Sequence, residues 1–290
     1  MAGPTLMGMR ESLARSVPLV HGRGRLATVA LAALLALAAA RASGDPPAID
    51  ARYAIEVAGI RVAELALTVT PAEGGIASRL VMQSVGLAAA WSGARSELAT
   101  VMRRPAEGAP SPIRFEAVHS KRDREREIRI RYDGDGSVAE LALKSQGRPR
   151  APEVPEELQI GTVDPLTAFE RLRDWLPRAA SGEAERALTL PIFDGRKRYD
   201  LEANYVGPSA ALDGRSGLHE LSVRLVGRWG FDPDDRFIEL PDGDRPAPLR
   251  VLVDAANGAI PLRIDVPDRR AGPVVTLLRD CRAERCPPPS

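Results

Sequence analysis

The sequence predicts a mainly β fold: an antiparallel open barrel or strongly curved sheet, with one main α-helix packed across its concave face. Three observations carry that prediction. Apolar residues recur at every second position along most of the chain after residue 50, the pattern of half-buried strands. Asp-Gly and Asn-Gly pairs stand between several of those runs, where two strands turn back on each other. Only one stretch, 164–176, changes to helical spacing.

The strand pattern begins at Tyr53, Ile55 and Val57 and resumes after Gly59 with Ala63, Leu65, Leu67 and Val69. Glu73-Gly74-Gly75 turns the chain, and 80–85, 97–102 and 113–118 read as further strands between Pro- and Gly-rich loops. Gly59, Gly86 and Gly227 are the positions at which a bulge would shift a face. In "YDGDGSV" a four-residue loop sets Ile130 opposite Ala139 and Ile128 opposite Leu141. At Asn257-Gly258 a two-residue loop sets Val253 opposite Leu262 and Val251 opposite Ile264. In both hairpins the apolar residues collect on one side, as a buried face requires.

"PIFDGRKRYDLEANY", 191–205, is a third hairpin. With Asp194-Gly195 as the loop, Leu188, Leu190, Ile192, Tyr199, Leu201, Ala203 and Tyr205 share a face. Arg196 and Arg198 then point to solvent, and Lys197 alone sits on the apolar side.

Asp164 as N-cap and Pro165 at the first helical position start the helix. Leu166, Phe169, Leu172, Trp175 and Leu176 form its apolar stripe; Glu170, Arg171, Arg173 and Asp174 cover the other side, and Pro177 ends it. Residues 43–290 read as a single β-rich domain. The Pro- and charge-rich segment 146–160 and "RAASGEAE" after the helix mark two halves, 50–145 and 186–280, joined through the helix at 164–176.

Before the domain, Arg23 and Arg25 precede the apolar run "LATVALAALLALAAA" and the small residues of Ala40-Arg41-Ala42. That is the layout of a secretory signal peptide, 1–42, cleaved after Ala42. Fifteen helical residues rise about 22 Å, short of a ~30 Å hydrocarbon core, which favours a cleaved leader over an anchor. No cysteine stands near the cleavage site, so a lipoprotein is not expected. The expectation is a periplasmic protein that does not span the membrane after cleavage. Without the leader the chain holds 35 basic and 38 acidic residues, which offers no electrostatic case for nucleic acid. Cys281 and Cys286 in "CRAERC" read as a local disulfide staple, since the spacing fits neither a Cys-x-x-Cys redox pair nor a zinc site.

Motifs for chemistry are mostly missing. "HELSV" at 219–223 lacks the second histidine of a zinc motif, and no nucleophile elbow or phosphate-binding Gly loop is present. No catalytic residue, metal site or cofactor is predicted. Two weaker patterns remain. In "KRDREREIRIRY" alternation puts Arg122, Arg124 and Arg126 on the face of Ile128, Ile130 and Tyr132, a clamp for an anionic head group. The plainer alternative starts that strand near Glu127 and leaves the charges solvated. Lys197 lies at the edge of the apolar hairpin face, where lysine ordinarily snorkels to water. Taken together, Lys197, Tyr199, Arg122, Arg124, Arg126, Phe169 and Trp175 suggest basic groups at the rim of an apolar concavity.

Four stretches, "YAIEVAGIRVAEL" (53–65), "TVDPLTAFERLRDWL" (162–176), "FDGRKRYDL" (193–201) and "NGAIPLRI" (257–264), resemble the bacterial envelope family catalogued as domain of unknown function 3108. The resemblance implies an exported, β-rich protein and supplies no catalytic residues. The function expected is a non-enzymatic binding protein that carries or senses a lipid-like or amphipathic envelope molecule. The alternatives are a structural or assembly partner of another envelope protein and, below both, a hydrolase.

Overall fold

The computed structural model describes residues 49–105, 108–210, 212, 215–231, 238–240, 246–254, 258–266 and 274–282. The expected leader at 1–42, with its expected cleavage site, and Cys286, the second half of the expected disulfide, lie outside the described residues.

Fourteen strands form one antiparallel sheet. In chain order they are β1 (Ile49–Val57), β2 (Ile60–Ala72), β3 (Gly75–Ser84), β4 (Arg95–Arg103), β5 (Ser111–Lys121), β6 (Arg124–Tyr132), β7 (Val138–Ser145), β8 (Arg148–Arg150), β9 (Ala187–Phe193), β10 (Arg198–Ser209), β11 (Leu218–Trp229), β12 (Leu249–Asp254), β13 (Ile260–Val266) and β14 (Val274–Arg282). Helix α1 (Gly86–Ser92) joins β3 to β4, and α2 (Pro165–Ser181) joins β8 to β9. The spatial order is β8-β7-β6-β5-β4-β3-β2-β1-β14-β13-β12-β11-β10-β9. Two meanders, β1–β8 and β9–β14, therefore become one sheet through the pairing of β1 with β14.

The mainly β, antiparallel class is the one the alternation predicts, but the sheet is open, not closed or strongly curled into a barrel: β8 and β9 end the ladder without pairing. Packing rather than hydrogen-bonded closure ties the two meanders together. Phe193 of β9, fully buried, joins Phe115, Ala117, Ile128, Ile130 and Tyr132 of β5 and β6 in one cluster.

Helix α2 supplies the rest. Trp175, Leu176 and Ala179 pack on Ala203, Tyr205, Leu221, Val223, Val251 and Val253 of β10, β11 and β12. Phe169 instead packs with Ile49, Tyr53, Leu67 and Val69 of β1 and β2. Two features of this helix differ from expectation. It runs through Pro177 to Ser181 and stops at Gly182 in the left-handed region, because Ala179 is buried with Trp175 and Leu176 and that contact offsets the proline. Its charged side is not solvated either: Glu170 and Arg173 are both buried, paired through two contacts of 2.7 and 2.8 Å, and Arg173 Nε donates to Gly258 O at 2.8 Å.

The hairpin registers differ by two residues from the simplest loops. Ile130 faces Leu141 and Ile128 faces Leu143, while Leu201 faces Leu190 and Tyr199 faces Ile192. A slip of two preserves every face, which is why the apolar sides are right although the partners are not. In the β12–β13 hairpin Val251 faces Ile264 as expected, but a bulge between Leu252 and Val253 moves Val253 opposite Pro261. The positive φ values there fall on Gly258 and Ala259. Of the three glycines flagged for bulges, Gly59 sits in the β1–β2 turn, Gly86 opens α1, and Gly227 adjoins the bulge by which Arg198 and Tyr199 face Trp229 and Gly227. Helix α1 itself replaces a predicted loop; seven residues are too few for periodicity to declare it.

Candidate functional site

The turn between β9 and β10 is the local structure from which the site is built. Asp194 Oδ1 accepts from Arg196 N at 2.8 Å and from Lys197 N at 2.7 Å, so its side chain closes the four-residue loop from within. Gly195 is buried at φ +93°, and a Cβ there would come within 2.4 Å of Ile128 Cγ2 on β6. The turn is thus seated on the opposite meander. Val163 braces it from behind, accepting from Phe193 N and donating to Pro191 O, both at 3.0 Å. The stretch "VDPL" thus bridges to Ile192, just before "DGRKRYDL" begins at Asp194.

The basic residues of the turn then part company. Lys197 Nζ stands 4.5 Å from the Phe231 ring centroid, and Tyr199 meets the same ring edge-on at 6.0 Å. Arg198, expected in solvent, is instead packed against the protein: it donates to Leu158 O at 3.2 Å and to Asp200 Oδ1 at 2.6 Å, with Arg228 on the other carboxylate oxygen at 2.8 Å. A second correction concerns Arg196, which is half-buried and faces a cleft.

That cleft, about 240 Å³, lies between β6, β7, β8 and the turn. Arg126, Lys144, Arg150 and Arg196 line it together with Ser145 and two carboxylates, Glu127 and Glu153. Glu127 is already engaged by Arg129 at 3.2 Å and by Lys144 at 3.9 Å. The guanidinium groups of Arg126, Arg150 and Arg196 have no hydrogen bond or ion pair among the described residues. His119, opposite Arg126 in the β5–β6 ladder, holds Ser96 Oγ at 3.0 Å through Nδ1. Burial pushes its pKa below the usual histidine value; Asp194 pulls it up, and Arg196 and Arg126 push it down further. Beside the cleft, across Glu153, runs an open groove of about 900 Å³ with Leu141, Pro152, Pro155 and Ile160 on its walls, together with the carboxylates of Glu140, Glu153, Glu156 and Glu157.

Converging unpaired guanidiniums are planar, permanent donors that match the paired oxygens of phosphate, sulfate or carboxylate. No cluster of three or more His, Cys, Asp or Glu suited to a metal occurs among the described residues.

Of the seven residues singled out in the sequence, the cleft takes Arg126. Arg124 begins β6, exposed, and Arg122 occupies the β5–β6 turn, where it donates to Trp91 O at 2.9 and 2.7 Å. Lys197 and Tyr199 lie against Phe231. Phe169 and Trp175 are in separate core clusters, and Trp175 Nε1 donates to Glu185 O at 2.9 Å. The space under α2 is therefore filled by side chains instead of opening into a concavity. Sequence reasoning missed Lys144, Arg150 and Arg196. The register slip alone would have freed Arg196, whereas "RPR" at 148–150 reads as linker.

The family model described as "Protein of unknown function (DUF3108)" matches residues 52–277. No curated protein and no solved structure matches the chain.

Proposed function

For this chain, which belongs to the DUF3108 family, we propose a binding role without catalysis: an exported, periplasmic protein that holds an anionic amphiphile. The head group lies among Arg126, Arg150 and Arg196, and the apolar tail follows the groove past Leu141, Pro152 and Pro155. One observation carries the reading: Arg126, Lys144, Arg150 and Arg196 share one cleft with only two carboxylates, Glu127 and Glu153, and the three guanidiniums have no hydrogen bond or ion pair among the described residues. Like charges around one cleft repel, less strongly where the side chains are exposed as Arg126 and Arg150 are. A bound anion turns that repulsion into attraction. The signal-peptide layout at 1–42 supports the compartment.

His119 is the reporter for the test. An anion in the cleft offsets Arg126 and Arg196, two of the charges that hold the imidazole down, so its titration moves up. NMR titration of His119 with dodecyl phosphate should show that rise, and Arg126→Gln with Arg196→Gln should abolish it. Inorganic phosphate is the second arm: an equal response at equal concentration would make the ligand a free anion, with no role for the groove. No response to either probe, with a clean apo mass for protein isolated from the periplasm, would overturn the reading.

A further inference from the structure

The antiparallel pairing brings several turns to one end of the sheet. Val57 pairs with Ile60 and with Val274, Ser84 with Ala63, and Lys121 with Arg124. The β1–β2 turn, helix α1 and the β5–β6 turn therefore emerge side by side. Three of the largest exposed apolar side chains are found at this end: Ile60, Leu87 at 89 % exposure and Trp91 at 77 %.

Folding does not account for the outer side of α1. Ala88, Ala89 and Ser92 are half-buried towards β2 and β3, but Leu87 and Trp91 are exposed and return little for the entropy lost in ordering them. The segment is nevertheless held firmly. Val85 N donates to Val62 O and Ser84 N to Ala94 O, both at 2.9 Å, and Gly93 closes the helix in the left-handed region. Arg122 adds two bonds to Trp91 O while holding φ at +54°, a conformation uncommon for arginine. Leu87 and Trp91, four apart, share one helix face, and the fold presents that face to solvent.

We propose that α1 and the β5–β6 turn form a docking surface for an anionic lipid bilayer. Leu87 and Trp91 enter the head-group region, where tryptophan's apolar ring and polar N–H are both accommodated. Lys121 and Arg124, exposed and without an ion pair among the described residues, meet the lipid phosphates beside them; with Arg122 they outnumber the exposed carboxylates of the same turn, Asp123 and Glu125. Size argues for a membrane over a protein partner: two protruding side chains offer roughly 400 Å² against about 800 Å² per partner in a stable protein interface. This surface shares no residue with the arginine cleft.

Sedimentation with vesicles tests it on the chain without its leader. Vesicles in which about a third of the lipid is phosphatidylglycerol should pellet the protein, and phosphatidylcholine vesicles only weakly. Leu87→Asp with Trp91→Asp should lower the partition coefficient by at least about tenfold on both. Lys121→Gln with Arg124→Gln should cost about tenfold on the anionic vesicles alone. Trp emission should shift to the blue on binding, and Trp91→Phe should remove that shift although Trp175 and Trp229 remain. Arg196→Gln, a cleft substitution, should leave vesicle binding unchanged, so the two proposals fail separately. Absence of pelleting, pelleting undiminished by the paired Asp substitutions, or crosslinks from position 91 to a protein instead of lipid would each overturn the inference.

Discussion

Helices α1 and α2 come from the same chain and obey opposite rules. Helix α2 buries eight of its side chains, two of them an ion pair, and its N-cap Asp164 is itself fully buried. Asp164 accepts from Leu166 N, Thr167 N and the hydroxyls of Thr167 and Thr100, the last at 3.1 Å from β4. Helix α1 fully buries none of its side chains, yet is braced at both ends. The contrast separates residues that the fold requires from residues that it merely displays. Polar groups in α2 are costly unless partnered, so each has its partners. Leu87 and Trp91 of α1 are displayed in water, which is the basis for the docking proposal.

The sharpest way to break this contrast is through the buried pair. Arg173→Met leaves Glu170 almost fully buried without its counter-ion, its pKa pushed further above the usual carboxylate range by burial, and should cost about 4 kcal/mol in chemical denaturation. Glu170→Leu combined with Arg173→Met should recover most of that loss, since the penalty belongs to the orphaned carboxylate. The Leu87 and Trp91 substitutions, by contrast, should stay within about 0.5 kcal/mol of the parent. If they destabilise as much as Arg173→Met, α1 is part of the core and its display has no meaning.

Gly195 comes next. Its φ of +93° disfavours any side chain, and an added Cβ would strike Ile128 at 2.4 Å. Gly195→Ala should therefore cost about 2–3 kcal/mol, part backbone strain and part displacement of β6. It should also disturb the cleft, because Arg196 is the next residue. A neutral Gly195→Ala would mean that the turn is not seated on the opposite meander at all.

How much of this the sequence announced depends on what alternation can report. Parity survives a slip of two residues, so the apolar faces of the β6–β7 and β9–β10 hairpins were legible even with the wrong partners. Asp164-Pro165 announced the start of α2 because capping is local chemistry. Phe193 was not legible: it falls on the polar parity of its own strand and is buried only because β5 and β6 come over it. The cleft was hidden for the same reason. Arg126, Arg150 and Arg196 are far apart in the chain and converge through tertiary packing, which no period records. Glu170 and Arg173 looked like a solvated face because i,i+3 charges on a helix usually are one.

The smallest expected effect is a pH dependence at His119, and it sharpens the view of the cleft as a charged cavity. Burial, Arg196 and Arg126 outweigh Asp194, so the folded pKa lies below the unfolded value near 6.5. The unfolded chain then binds more protons than the folded one within the window between the two pKa values. His119 therefore contributes stability that is fully present above about pH 6.5 and is lost as the pH falls through the folded pKa. Arg126→Gln removes one charge that depresses the imidazole, so His119 should titrate higher and the loss on acidification should shrink. Paired NMR titration and denaturation on the two sides of that window measure both. An unchanged His119 titration in Arg126→Gln would place Arg126 too far from the imidazole, and with it the positive field of the cleft would lose its nearest witness.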